Sequence, residues 1–256
     1  MDFGIQGKVA LITGGSKGIG RAIAHDLAKE GCHVAFSARG AEALRTTERE
    51  LTALGVQALG VPADMTQTAD IEHLVNATVE RFGGVDILVN NVGGSRGGQT
   101  WDTADEDWAE VLYLNLFAAV RTARLAIPLM RKRGWGRIIN ITSIYGREAG
   151  GAMTYNAVKA SMNSWSKSLA KQLAKDNIMV NVVAPGSVLF PGGSWERRQQ
   201  ENPVFIDNFV RTEMPLGRFG KPEEIAAMVT FLASERASLM TGACVNVDGC
   251  QSRSNI

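Results

Sequence analysis

Short apolar runs alternate with longer amphipathic stretches along almost the whole chain. The runs, rich in Val and Ile as in buried parallel strands, cover residues 8–13, 33–38, 56–61, 86–90, 137–142, 178–184 and 241–249. Apolar positions recur at helical spacing in residues 21–30, 41–54, 68–82, 103–132, 154–175 and 221–233. Alternating strands and helices predict an α/β fold: one doubly wound parallel sheet of about seven strands with helices on both faces.

A glycine-rich turn follows the first predicted strand and opens the first predicted helix, with the sequence Thr13-Gly-Gly-Ser-Lys-Gly-Ile-Gly20. Glycines let the backbone approach a pyrophosphate, and a helix N-terminus offers unpaired N–H groups and a positive dipole end. Such a turn in isolation could be purely structural. Between this strand and this helix it predicts a dinucleotide site.

A second candidate site follows the fifth predicted strand, where Ser143 stands at the strand end and Tyr155 and Lys159 open the next helix. Four-residue spacing puts the phenol and the ammonium on one helical face, about 5–6 Å apart at Cβ. A phenol with a pKa near 10 exchanges protons poorly at neutral pH unless a cation favours the phenolate. We therefore expect Lys159 to lower the pKa of Tyr155. Taken alone, the three residues also fit a strand-end cap, a core tyrosine and a solvated lysine.

The order and spacing of these motifs resemble the short-chain dehydrogenase/reductase family, and within it the 3-oxoacyl reductase-like group. The resemblance spans residues 7–249 and rests on the glycine turn, Asn90-Asn-Val-Gly93, Asn115, Ser143, Tyr155-x-x-x-Lys159 and Pro185-Gly186. It implies a Rossmann-like fold and reversible hydride transfer between a nicotinamide and a carbonyl or secondary alcohol. Ketones, 3-oxoacyl groups and sugars or polyols remain open as substrates. A non-catalytic nucleotide-binding regulator or scaffold on the same fold is the alternative.

The resemblance assigns catalytic roles to four residues. Tyr155 is the general acid in reduction and the base in oxidation, and Ser143 donates a hydrogen bond to the reacting oxygen. Lys159 also binds the nicotinamide ribose, and Asn115 holds a water that links the lysine to solvent.

The resemblance also implies a cofactor site. Arg39 ends the second predicted strand and faces the adenosine ribose, where a cation suits a 2′-phosphate. Lys17 adds a second cation, so we expect NADP(H) in preference to NAD(H), although both residues could be ordinary surface charges. Asp64 is expected to accept from the adenine amine. The implied cofactor residues are Gly14, Ser16, Lys17, Gly18, Ile19, Gly20, Arg39, Asp64, Met65, Asn90, Gly93, Tyr155, Lys159, Pro185, Gly186 and Val188.

The chain departs from the family pattern after Pro185-Gly186. Many relatives have a threonine four residues beyond that glycine, where this chain has Phe190. Ser187, Ser194 or the backbone at Val188 and Leu189 are the alternatives for contacting the cofactor.

The long 187–217 segment mixes aromatic and charged residues, which is typical of lids and binding loops. Trp195 and Phe205 either give substrate an apolar wall or pack against the body or a neighbouring subunit. Gly93-Gly-Ser-Arg-Gly-Gly98 is expected to be a flexible loop, with Arg96 favoured as solvated rather than bound to a substrate anion. Asp176-Asn177 stands where carrier-protein enzymes of the family often have a basic residue, which argues against carrier docking.

Composition limits the domain count, the binding partners and the kinds of site that the chain can have. At 256 residues and 45% hydrophobic content, one domain over 1–256 is expected. A net charge of +1 gives no reason to expect nucleic acid. The three histidines lie apart and the three cysteines are an odd number, so we predict neither a metal site nor a disulfide framework. We expect no signal peptide or membrane span, a cytoplasmic location and, by resemblance, a homodimer or homotetramer.

Overall fold

The computed structural model describes residues 2–96 and 100–255. Within them, seven parallel strands form one sheet in the order β3-β2-β1-β4-β5-β6-β7. The strands are β1 (Val9–Ile12), β2 (His33–Ala38), β3 (Ala58–Pro62), β4 (Ile87–Asn90), β5 (Gly136–Ile141), β6 (Ile178–Pro185) and β7 (Cys244–Val247). Strand order reverses between β1 and β4, which puts the ligand-binding crevice of such sheets at their carboxyl ends. The predicted doubly wound parallel sheet is confirmed.

Nine α-helices occur in the described part of the chain. They are α1 (Gly18–Lys29), α2 (Ala41–Thr52), α3 (Thr68–Phe82), α4 (Asp105–Leu112), α5 (Ala118–Arg133), α6 (Met153–Leu173), α7 (Ser194–Glu201), α8 (Pro203–Glu213) and α9 (Pro222–Ala233). Local chemistry sets several ends. The α3 helix stops at Gly83, which has a left-handed φ of 77°, and the Glu224 carboxylate accepts from the Lys221 amide, 2.8 Å away, at the start of α9.

The sheet separates two apolar cores because successive strand side chains point to opposite faces. Ile12 of β1 belongs to the core covered by α1 and α9, whereas its neighbour Leu11 belongs to the core covered by α3, α5 and α6. Both layers are closed by fully buried aliphatic residues, so the strand ends are held rigidly.

The predicted helix over 103–132 contains a π-helical turn, Tyr113–Phe117, between α4 and α5. Asn115 lies in this turn, and its side-chain amide donates to the Val111 carbonyl, 2.8 Å away. Such turns often occur at functional sites.

One helical stretch, Asp105–Arg133, is long and apolar enough to cross a membrane by length and composition alone. The stretch packs against α3 and α6, and core helices of globular proteins reach the same length and composition.

The 187–217 segment is more regular than the sequence suggested. It contains α7 and α8, with Pro203 at the first turn of α8 and the Asn202 side chain accepting from the Phe205 amide at 3.0 Å. These are the features of a well-formed helix start.

Candidate active site

The glycine turn is pinned to the neighbouring strand end. The Thr13 hydroxyl accepts from the amides of Asn91 and Val92, at 2.9 and 3.0 Å. The Asn91 side chain donates to the carbonyls of Thr13 and Gly14, at 3.0 and 3.1 Å. A Cβ on Gly20 would lie 2.1 Å from the Gly14 carbonyl oxygen, so the turn closes this tightly only with glycine there.

The N-terminus of α1 is free to bind an anion. Arg21 is the first residue of α1 whose amide has a backbone acceptor, the Lys17 carbonyl at 3.2 Å. The amides of Gly18, Ile19 and Gly20 find no acceptor among the described residues. With the positive helix end, they fit a pyrophosphate. Ser16 lies in the same turn.

Two cations flank this turn. Lys17 and Arg39 are both exposed, and neither has a carboxylate within 4.0 Å in the described part of the chain. Nearby Asp64 accepts from the amide and hydroxyl of Thr66, at 3.0 and 2.9 Å. These bonds, with Arg39 as a smaller contributor, lower the pKa of Asp64, so it remains an ionised acceptor beside the buried Met65.

Ser143, Tyr155 and Lys159 come together at the end of β5. Ser143 is 8% exposed, and its hydroxyl accepts from the Tyr145 amide at 3.1 Å. Tyr155 lies in the first turn of α6, and Lys159 follows one turn later with 2% exposure. The Lys159 ammonium lies 5.4 Å from the Tyr155 ring centroid and donates to the Ile141 carbonyl at 3.1 Å.

Burial dominates the protonation of this site. It raises the pKa of Tyr155 to about 12, against the opposing effect of the Ser143 hydroxyl. It lowers the pKa of Lys159 to about 7. The expectation that Lys159 lowers the pKa of Tyr155 is wrong for this state, because desolvation weakens the cation and favours the neutral phenol. At neutral pH Tyr155 therefore carries the proton that a general acid must donate.

Gly93 marks where Asn115 and Lys159 approach each other. A Cβ on Gly93 would lie 2.5 Å from Asn115 Oδ1 and 2.8 Å from Lys159 Nζ. Asn115 is fully buried, and its Nδ2 donates to the carbonyls of Gly94 and Val111 while Oδ1 accepts from the Gly94 amide. Both amide hydrogens are used, which leaves one acceptor lone pair on Oδ1.

Asn90 is buried at the end of β4. Its side chain is 2% exposed and donates to Asn140 Oδ1 at 2.8 Å, and Asn140 donates to the Ser166 hydroxyl at 2.7 Å. This polar row ties β4, β5 and α6 together.

The hydrogen bonds of the backbone beyond Pro185-Gly186 show which of its groups are free to contact a cofactor in place of the family's threonine. The Ser187 amide donates to Gln251 Oε1 at 2.7 Å, and the Ser187 hydroxyl accepts from Gln251 Nε2 at 3.0 Å. The Leu189 amide donates to the Gly220 carbonyl at 3.0 Å. The Val188 amide, between them, has no acceptor among the described residues, so it is the free donor of this turn.

Phe190 closes the crevice beside α1. A Cβ on Gly18 would lie 2.6 Å from the Phe190 ring, and one on Gly193 would lie 3.0 Å from it. The ring thus packs between the glycine turn and the start of α7. An apolar contact stands where the family pattern has a hydroxyl.

Trp195 and Phe209 of the 187–217 segment pack against each other and against Phe219. The Trp195 ring centroid lies 4.6 Å from that of Phe209 and 5.1 Å from that of Phe219. Phe205 remains 46% exposed. Trp195 therefore belongs to an aromatic cluster with Phe209 and Phe219.

Arg96 pairs with Glu110 at 3.0 Å on the surface. Residues 97 and 98 of the predicted flexible loop lie outside the described residues. Within the ranges 2–96 and 100–255, no group of three or more His, Cys, Asp or Glu residues could hold a metal ion.

Comparison with known proteins places this geometry in a family. The family model described as enoyl-(acyl carrier protein) reductase matches residues 14–250. The 3-oxoacyl-[acyl-carrier-protein] reductase of Aquifex aeolicus is 37% identical over 254 residues, 97% of this chain and 99% of that protein. The chain belongs to the short-chain dehydrogenase/reductase family. The Escherichia coli 3-oxoacyl-[acyl-carrier-protein] reductase is 38% identical over 248 residues, 95% of this chain and 97% of that protein.

Solved structures of the short-chain dehydrogenase/reductase family support the same assignment. L-sorbose reductase from Gluconobacter frateurii, crystallised with NADPH and L-sorbose, matches with a TM-score of 0.93 and 39% identity over 99% of this chain and 100% of that one. The prediction of an enzyme of this family, similar to its 3-oxoacyl reductases, is confirmed.

Several residues that shape the site of this short-chain dehydrogenase/reductase were missed from the sequence. Asn91 pins the glycine turn, and the Tyr145 ring lies against Gly150 and Gly151 beside Ser143. The Asn-Asn pair and the Gly-Gly pair were available as signals. Gln251 had none, because its partner is 64 residues away.

Proposed function

We propose that this chain is an NADP(H)-dependent oxidoreductase that transfers a hydride between the nicotinamide and a carbonyl or secondary alcohol carbon. The observation that carries the proposal is the meeting of Ser143, Tyr155 and Lys159 at the end of β5. The 3-oxoacyl and sorbose reductases among its relatives support the same chemistry. They lend no support to a non-catalytic regulator.

The catalytic roles follow from protonation and position. Tyr155 is protonated at neutral pH and donates its proton to the oxygen of the carbonyl being reduced. Ser143 donates a hydrogen bond to that oxygen as negative charge develops. Lys159 returns a proton to Tyr155, and its pKa of about 7 suits exchange at neutral pH. Asn115 keeps a lone pair for a relay water near that ammonium.

The cofactor, when bound, supplies or accepts the hydride. Free amides at Gly18, Ile19 and Gly20 would hold its pyrophosphate, and the Val188 amide its nicotinamide end. Exposed cations Lys17 and Arg39, with no carboxylate partner in the described ranges, fit a 2′-phosphate. NADPH in the solved sorbose reductase supports the preference for NADP(H).

A small free carbonyl compound is the proposed substrate. Arg131, in the basic cluster at the end of α5, pairs with Asp176 at 2.7 Å. This carboxylate neutralises a charge that an acidic carrier protein would need. Free ketones, ketoses and small 3-oxoacyl thioesters remain the classes to assay.

The proposal also covers the domain organisation, the oligomeric state and the location of the protein. Residues 1–256 form one catalytic domain, and the 187–217 segment serves as its lid. Exposed Tyr113 and Phe117, 43% and 40% accessible, suit contact between subunits of a cytoplasmic homodimer or homotetramer.

Parallel fluorescence titrations with NADPH and NADH test the cofactor assignment. We expect NADPH to bind at least about tenfold more tightly, a difference of about 1.4 kcal/mol. A panel of ketones, ketoses and acyl thioesters then follows in the same cuvette. Equal or absent binding of both nucleotides would contradict the proposal.

A further inference from the structure

The chain returns to the site after β7. Asp248 accepts from the amides of Cys250 and Ser252, at 3.1 and 2.8 Å, and so forms a tight turn. We call residues 248–253 the C-terminal segment. The turn directs Gln251 to the end of β6 and the following residues toward α8.

Gln251 holds the residue that follows the Pro185-Gly186 turn. Only 8% of Gln251 is exposed, and its amide group makes two hydrogen bonds to Ser187, one to the amide and one to the hydroxyl. A Cβ on Gly186 would lie 2.7 Å from Gln251 Oε1 and 2.9 Å from Asp248 Cβ. The C-terminal segment can approach this closely only because residue 186 is glycine.

The C-terminal segment also contacts the loop between Ser143 and Tyr155 and the helix α8. Glu148, between Ser143 and Tyr155 in sequence, accepts from the Ser252 hydroxyl and the Arg253 amide, at 2.9 and 2.8 Å. The Arg253 guanidinium pairs with Glu213 of α8 at 3.0 Å. That pair is exposed and contributes little stability. The buried bonds of Gln251 are the stronger attachment.

Hydrogen bonds fix the backbone on both sides of Val188. Ser187 is held by Gln251 and by the Gly220 amide, which donates to the Ser187 carbonyl at 3.0 Å. Leu189 is held by the Gly220 carbonyl at 3.0 Å. The direction of the Val188 amide is therefore set by Ser187 and Leu189. Gln251, which lies outside β6, makes two of the hydrogen bonds that hold Ser187.

We propose that Gln251 is a positioning residue that presents the Val188 amide to the nicotinamide end of the cofactor. This inference rests on the proposed function. Without Gln251, the buried Ser187 amide would lack an acceptor, and the turn would shift or admit water to satisfy it. Cofactor binding would weaken, while Tyr155 and Ser143 would keep their places.

The test replaces Gln251 by Met, which preserves length and removes both hydrogen bonds. In the protein without nucleotide, we expect the Ser187 amide to exchange hydrogen at least about tenfold faster. The Kd for NADPH should rise about tenfold, or about 1.4 kcal/mol. At saturating NADPH, the KM for the carbonyl substrate should change less than about twofold.

Two further variants separate positioning from general damage. Gln251→Glu keeps acceptors for the Ser187 amide and hydroxyl and should restore most of the NADPH affinity and exchange protection. Cys250→Ser alters an exposed side chain of the same turn and should match the wild type. Unchanged Ser187 exchange or NADPH affinity in Gln251→Met would overturn the inference. If the wild type bound neither nucleotide, the cofactor proposal would fail, whereas Ser187 exchange would still decide whether Gln251 holds the turn.

Discussion

The wall of the site formed by β1, β4 and β5 differs from the wall formed by residues 186–213. In the first, paired strand ends place Thr13, Asn91 and Ser143 directly, and α6 adds Tyr155 and Lys159 at helical spacing. In the second, Gln251 and Arg253 attach Ser187 and Glu213 from the far end of the chain. In the proposed function, the first wall carries the proton chemistry and the second contacts the cofactor and the substrate.

Removal of the Tyr155 hydroxyl should give the largest effect and confine it to the first wall. Tyr155→Phe removes the proton donor, so kcat should fall about 1,000-fold or more. The Kd for NADPH should stay within about threefold of the wild type, because the second wall is intact. Steady-state kinetics and nucleotide titration measure the two values.

Tyr113→Phe is the matched control, since this tyrosine is 43% exposed and lies in the π-helical turn. It should behave as wild type. Retained turnover in Tyr155→Phe would refute the assignment of the acid.

Replacement of Lys159 by Met separates function from stability in the same wall. Activity should fall about 100-fold, because no side chain returns a proton to Tyr155. Burial lowers the pKa of Lys159 from 10.5 to about 7. Between these values the unfolded state binds more protons, so wild-type stability rises with pH across this window.

Lys159→Met lacks this dependence and should be more stable than wild type at pH 7, by on the order of 4 kcal/mol. The advantage should shrink as pH rises toward 10.5. Thermal unfolding at several pH values measures it, with exposed Lys171→Met of the same helix as control. An advantage that grows with pH would contradict the assigned shift.

Charge reversal at Arg39 tests the adenosine end of the crevice. Arg39→Asp should weaken NADPH binding about 100-fold and strengthen NADH binding, because a carboxylate repels the 2′-phosphate and accepts from a free hydroxyl. Parallel titrations measure both, with Lys29→Asp at the far end of α1 as control. Equal losses for the two nucleotides would point to general damage.

Truncation of Trp195 should give the smallest effect and confine it to the second wall. Trp195→Ala removes contacts to Phe209 and Phe219, and loosening of α7 should raise the KM for the carbonyl substrate about tenfold. The Kd for NADPH should change less than about twofold. Trp101→Ala, at an 89% exposed position, is the control. A matching loss of NADPH affinity would show that the two functions are not separable here.

The first wall could be predicted because its signals are local. A strand, a glycine turn and a helix follow one another at residues 8–30, and Tyr155 and Lys159 are separated by one helical turn. Parallel pairing then brings the ends of β1, β4 and β5 to one edge of the sheet. The assembly of Ser143, Tyr155 and Lys159 at that edge follows from this.

What the sequence could not reveal depends on burial and distant contacts. Desolvation of Tyr155 and Lys159 reverses the expected pKa shift of the phenol, and no spacing reports how deeply a side chain is buried. The hydrogen bond from Asn90 to Asn140 depends on the pairing of β4 with β5. Gln251 meets Ser187 only after the whole sheet has formed.

Isotope transfer tests the central claim most directly. The enzyme would be incubated with NADPH deuterated at the transferable position of nicotinamide C4 and a carbonyl substrate from the panel, and the alcohol product would be analysed by mass spectrometry. We predict one deuterium at the former carbonyl carbon with the wild type and at least about 1,000-fold slower product formation with Tyr155→Phe. A product without deuterium, or equal product from both proteins, would contradict hydride transfer with Tyr155 as the proton donor.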